Sequence, residues 1–219
     1  MSSTTSYRLN GIALLIESAL SAIGYILSVF ASGNDLQSLI SPLSLIFSLI
    51  TLLGSMLVLL GLPGMYTRQA RRAGILGLLG FLLVWYVTLF QGILIPFTTV
   101  TFIPLLAAHL VTPSLVTTPP PTWTPFSLVS MVGEVLGILL LAIATLRARV
   151  FPRWIGWLLI AALVLGIVSF VPFFPEALQS LPAIIASAAI AGVGYLLLWP
   201  ERLERTQPAP AAVEAEARA

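Results

Sequence analysis

Polar residues are sparse along this chain, and their positions divide it into long apolar runs. A helix that crosses a hydrocarbon core of roughly 30 Å needs about 20 apolar residues. Six stretches reach that length, at about 9–30, 39–62, 74–96, 126–146, 154–174 and 178–199. Each is bounded by Gly, Pro, Ser or Arg, residues that punctuate helices. The pattern predicts an all-α polytopic membrane protein. Residues 1–199 form a single bundle of six transmembrane helices, and residues 200–219 form a tail rich in Ala, Pro and Glu, expected to be disordered toward its end.

One run is too long for a single crossing. The chain stays apolar from Gly74 to Val111, beyond what one span needs at about 1.5 Å per residue. Pro96 is expected to end or kink this helix, because its ring removes a backbone donor and crowds the preceding turn. Thr98–Val111 would then lie at the outer headgroup level, or fold back into the membrane as a re-entrant segment. Thr112–Pro125, with Pro119, Pro120, Pro121 and Pro125, reads as an exposed loop.

Charge gives the bundle a direction. All ten basic residues are arginine. Arg8 precedes the first run; Arg68, Arg71 and Arg72 lie between the second and third; Arg147, Arg149 and Arg153 lie between the fourth and fifth; Arg202, Arg205 and Arg218 follow the sixth. The opposite connections hold only Asp35, His109 and Glu176 among titratable residues. By the positive-inside bias both termini are cytoplasmic, and Tyr66, Trp154, Trp157 and Trp199 anchor the same interface. No cleavage site follows the first run, which is therefore expected to be a retained helix. Arg149 and Arg153, flanking Pro152, are candidate contacts for anionic lipid headgroups, although topology alone also accounts for them.

Composition excludes several classes. Of 219 residues, 58% are hydrophobic and 8% charged, whereas a soluble domain carries about 25% charged residues. A water-soluble globule is excluded. The net charge of +2 gives no reason to expect nucleic acid, since orientation explains the arginines. Without cysteine there are no disulfides and no thiolate metal sites, and a lone histidine builds no His-pair metal or haem site. No glycine-rich phosphate loop, Ser-His-Asp set or metal-ligand spacing occurs, so no catalytic residue, metal or cofactor is expected.

Two carboxylates remain inside the spans. Glu17 and Glu134 enter their helices from opposite sides and come close to one level near the midplane. An intramembrane charge costs a few kcal/mol on insertion scales, so such residues turn inward. Helical spacing puts Asn10, Glu17, Ser21, Gly24 and Ser28 on one face, and Ser41, Ser44, Ser48, Thr51 and Ser55 on another. Ser127, Ser130, Glu134 and Gly137 share a third, and Thr88 and Gln91 belong to the third span. The candidate interior site is Glu17, Glu134, Gln91, Ser48, Thr51 and Ser130. Two explanations compete. Hydroxyls can satisfy themselves on the carbonyl four residues back, while Gly133–Gly137 and Ala188–Gly192 allow close helix approach. Alternatively, the residues line a water-accessible or ligand-lined cavity centred on Glu17, Gln91 and Glu134.

The turns Gly61-Leu-Pro-Gly-Met-Tyr-Thr-Arg-Gln-Ala-Arg-Arg-Ala-Gly74 and Arg147-Ala-Arg-Val-Phe-Pro-Arg-Trp-Ile-Gly156 resemble those of small, uncharacterised bacterial six-helix integral membrane proteins. The resemblance implies a bacterial inner-membrane location and no established activity. Three functions stay open. One is a non-enzymatic subunit, scaffold or lipid- or small-molecule-binding component, whose partners are membrane lipids, a second copy or a membrane complex. Another is a small proton- or cation-coupled transporter or channel using Glu17 and Glu134, which requires a hydrated cavity reaching one side. The third is an intramembrane enzyme on an apolar substrate, which requires a lateral opening to lipid.

Overall fold

The computed structural model describes residues 3–28, 36–109, 121–171, 175 and 178–199. Asp35, Glu176, most of the 112–125 loop and the 200–219 tail lie outside the described residues. The regular elements are all helical: α1 (Ser3–Ser28), the single turn α2 (Leu36–Leu39), α3 (Pro42–Val87), a π-helical segment (Thr88–Leu94), α4 (Ile95–His109), a short turn (Pro121–Trp123), α5 (Thr124–Ala148), α6 (Arg153–Val168) and α7 (Leu181–Leu198). Four stretches are long and apolar enough to cross a membrane: Thr5–Ser28, Pro42–His109, Pro121–Ala148 and Leu181–Leu198, with Arg153–Val168 a shorter apolar helix.

Helix α3 starts at a cap, where Ser41 Oγ accepts from Ser44 N at 3.3 Å and Pro42 opens the first turn. The expected stop near Leu62 does not occur. The helix runs past Pro63 and through the arginines to Ala73, and breaks only at Gly74, with φ 61° and ψ −154°, a region open essentially to glycine alone. There the chain folds back. The Tyr66 and Phe81 rings, remote in sequence, stack with centroids 4.9 Å apart, and a Cβ on Gly92 would run into Ser55. Residues 42–73 and the helical run after Gly74 therefore lie side by side and antiparallel. The apolar pattern stops at Leu62 because the span stops there, but a polar helix can continue beyond the hydrocarbon.

Pro63 is tolerated because α1 repairs it. With its amide oriented to satisfy both ends, Asn10 donates to Leu60 O at 3.0 Å and accepts from Gly64 N at 3.1 Å. These groups flank Pro63, whose ring has no N–H to donate, so Asn10 ties α1 to α3 at the proline. This polar residue of the α1 face has a structural job.

Pro96 does not end the helix either. Upstream of it the chain widens into the π segment, where Ile95 N bonds Phe90 O, five residues back, and α4 then continues through Pro96 and Pro104 to His109. A widened turn gives the proline ring room. Thr99 still shares a groove with Ser44 and Ser48 of α3, so the run stays beside its partner at least to Thr99, past Pro96.

The remaining pairs alternate in direction. Gly80 meets Leu141 while Gly137 meets Val84, which sets α5 antiparallel to the return arm of α3. Gly156 meets Leu146 of α5, Gly192 meets Trp154 of α6, and Gly194 meets Gly11 of α1. The helices thus close into a ring, with α7 against α1. The arginine-bearing ends gather at one end of it: the Arg68 guanidinium lies 5.3 Å from the Tyr7 ring centroid, and Arg71, Arg72 and Val150 line the same groove. The tightest core, including Leu14, Leu62, Met65, Ala148, Phe151 and Leu197, lies toward that end.

Candidate functional site

Beyond this core the ring parts around a cavity of about 360 Å³, within the ~300–1,000 Å³ typical of small-molecule sites. Most of its wall is aliphatic, from Val58 and Leu62 of α3 through Leu141, Ile155 and Leu159 to Ile190 and Val193 of α7. Its polar part comes from Tyr25, Thr51, Ser55, Thr88, Gln91 and Glu134. The π segment carries Gln91 into this wall, where it stands with Glu134. Thr51 and Thr88 donate their hydroxyls to Phe47 O and Val84 O, at 3.0 and 2.8 Å.

Glu17 occupies a smaller neighbouring chamber of about 190 Å³, with Ser21, Gly24, Phe47 and Ile50. Its side chain is 5% exposed. Ser21 Oγ donates to its Oε1 at 2.6 Å. Ser18 Oγ lies 3.3 Å from Oε2 but is closer, at 2.8 Å, to Leu14 O. Tyr25, Thr51 and Ser55 form part of the wall of both chambers. A third space, a cleft of about 320 Å³ among α5, α6 and α7, shares Tyr25, Glu134, Ile138 and Ala186 with the central cavity. Met131, Ile167 and Phe170 line that cleft and are 48%, 49% and 78% exposed. The cleft therefore opens on the outer surface of the bundle.

The six residues singled out from sequence do not form one cluster. Gln91, Thr51 and Glu134 stand in one wall, but Glu134, expected to turn inward, is exposed where the cavity meets the lateral cleft; Glu17 lies next door with its own hydroxyl partner. Ser48 is buried on a separate groove, which it shares with Gln91, Pro96 and Thr99. Ser130 is fully buried, lines none of these spaces, and its hydroxyl has no partner among the described residues. Arg149 closes α5 in the left-handed region, φ 51°, with its N–H on Thr145 O. Arg153 opens α6 and is exposed. The arginine-lined groove at that end is made instead by Arg68, Arg71 and Arg72 with Tyr7, Thr67 and Val150.

Two residues escape the sequence reading. Tyr25 lines all three chambers and lies within electrostatic reach of both Glu17 and Glu134. Its signal was its spacing, one turn after Ser21 on the polar face of α1. Gln69 is fully buried with both amide atoms unpartnered among the described residues. It continues the Leu62–Met65 face by one turn, a signal readable only if the helix continues past Leu62. No group of three or more His, Cys, Asp or Glu is gathered among the described residues. In comparisons with known proteins, no family model, curated protein or solved structure matches this chain.

Proposed function

We propose that this chain is an integral membrane bundle that takes a small amphiphilic molecule from the bilayer and holds it in its interior. The observation that carries this reading is the position of Glu134 and Gln91. They stand at the wall of a mostly apolar cavity that continues past Ala186 into a cleft open on the outer surface. An apolar chamber with a few convergent polar groups suits a ligand with an apolar body and one polar end. A bundle built only to pack would forfeit the dispersion contacts that such an unfilled space gives up.

In this reading the Pro42–His109 run crosses twice, once on either side of Gly74, and α6 crosses together with the residues that follow it. Six crossings then leave both termini on the arginine side, which is cytoplasmic by the positive-inside bias. The membrane is the inner membrane of a bacterium, and lipids are the immediate partners, with Arg68, Arg71 and Arg72 taking over the headgroup contacts expected of Arg149 and Arg153. The sequence has no cysteine, so introduced ones report cleanly. A cysteine at Thr67 should be labelled only from the cytoplasm, and one at Gln179 only from outside; labelling of both from one side refutes the topology.

The ligand reading is tested by purifying the full chain in mild detergent and identifying the small molecules and lipids that stay bound, by mass spectrometry. Ala186→Phe fills the junction between cavity and cleft. The variant should fold but lose the retained molecule; equal retention in both proteins overturns the proposal. The position of Tyr25 between two carboxylates favours a second reading, a proton- or cation-coupled carrier. It predicts that Glu17→Gln or Glu134→Gln abolishes ligand-driven proton movement in proteoliposomes, while unchanged movement removes it.

A further inference from the structure

We propose that the ligand of this cavity is a lipophilic monocation, an ammonium with an apolar body, whose charge is met by the Glu134 carboxylate. The inference rests on the cavity reading above and names its ligand class. It starts from which charges are present. The titratable groups lining the central cavity, the Glu17 chamber and the lateral cleft are Glu17, Tyr25 and Glu134. α3, the π segment, α6 and α7 contribute hydroxyls, the amides of Gln91 and Gln179, and aliphatic or aromatic carbon; no arginine or histidine lines any of the three spaces.

Each charge class of ligand then meets a different wall. An anion would find no counter-charge in the central cavity, and burying its charge unpaired is costly. A neutral apolar body would fill the cavity while leaving the Gln91–Glu134 pair unused. A cation supplies what the wall lacks. A lone carboxylate in a membrane interior is costly, and it becomes affordable when a positive charge shares the chamber. Gln91 adds an amide dipole to the same wall, and the Tyr25 ring at the same junction can add attraction to an ammonium. The cleft lined by Leu163, Gly166 and Ala183 admits the apolar body sideways, so the charge need not cross the arginine-bearing end.

Charge balance gives a second consequence. Without ligand, the interior stays neutral if Glu17 and Glu134 each carry a proton, and of the two only Glu134 lines the central cavity. Binding one monocation to the carboxylate releases that proton to bulk water, so one cation enters for one proton lost, and no bond to the ligand forms or breaks.

The test uses isosteric probes on the detergent-solubilised full chain: benzyltrimethylammonium, its neutral carbon isostere neopentylbenzene, and the anion benzylsulfonate. The cation should bind at least about tenfold more tightly than the neutral isostere, a difference of about 1.4 kcal/mol. It should release one proton per molecule bound in weakly buffered solution, and the anion should not bind. Glu134→Gln should keep the neutral isostere and lose both the preference and the proton release. Equal binding of cation and isostere by the wild-type chain overturns the cation assignment while leaving the cavity reading intact. A cation preference that survives in Glu134→Gln overturns the role of Glu134. Failure of all three probes to bind the wild-type chain overturns the cavity reading as well. If Glu134→Gln does not fold, the wild-type comparison of cation with isostere still decides.

Discussion

The arginine end and the opposite half of this bundle are built from the same residue types but packed differently. Toward the arginines, glycine means close contact, with a neighbour's backbone at Gly11 and Gly80 and with a side chain at Gly61. A Cβ on Gly11 would lie 2.7 Å from Gly194 O, one on Gly61 2.5 Å from Leu14, and one on Gly80 2.6 Å from Leu141 N. In the other half it means room: the nearest atoms to a Cβ on Gly24, Gly54 or Gly166 are 3.5, 3.9 and 3.9 Å away. Gly92, pressed against Ser55, and Gly133, whose Cβ would lie 3.3 Å from Val87, are exceptions there. A glycine stripe licenses close approach, but contact follows only where the partner helix brings its backbone or a large side chain against it. Where it does, side chains such as Leu14 and Leu197 are at most 1% exposed. Where it does not, the helices part around Tyr25, Gln91 and Glu134.

The strongest way to break this contrast is Gly11→Val. The added atoms meet the α7 backbone, which cannot move aside, so destabilisation of about 3 kcal/mol is expected, at the upper end of overpacking costs. Reversible unfolding in mixed detergent micelles measures it, and a tolerated valine would mean that the two halves are equally loose. Gly74→Ala comes next, at about 2 kcal/mol, because the fold-back needs a backbone conformation that an L side chain rarely adopts. Nothing lies within 4 Å of a Cβ there, so this loss is conformational and should appear without any change in helix packing.

Gln69→Leu changes the sign. Removing a buried, unpartnered amide in favour of a similar apolar volume should stabilise the arginine end by about 1 kcal/mol. Destabilisation in the same unfolding assay would mean the amide has a partner in the folded protein. Gly54→Ala, beside the Glu17 chamber, should stay within about 0.5 kcal/mol of wild type; a loss comparable to Gly11→Val would erase the distinction between the halves.

Much of the architecture was legible because a membrane imposes a simple rule on apolar length. The elements themselves, the clustering of arginines and the inward turn of Glu17 can be read from spacing. Helix ends cannot, when the helix outlasts the span: the extension through Arg68–Ala73 is polar, so hydropathy hides it, and Gln69 was hidden with it. Prolines misled in the same way. Pro63 and Pro96 each break a local rule, and each is rescued by something distant or irregular, the Asn10 amide in one case and the π segment in the other. The candidate site was half legible. Glu17 and Glu134 share a depth that sequence could estimate, but Tyr25 was passed over, because its only marker was its spacing one turn after Ser21 and an aromatic ring in an apolar helix reads as packing.

Gly74 has a mechanical consequence. A reversal made by one residue has no slack, so the two arms of α3 cannot slide past each other without breaking the stack of Tyr66 on Phe81. The hairpin and the α5 helix clamped to it by Gly80 and Gly137 behave as a single stiff frame. Across the ring the packing is looser, since a Cβ on Gly166 of α6 would still lie 3.9 Å from Pro182 of α7.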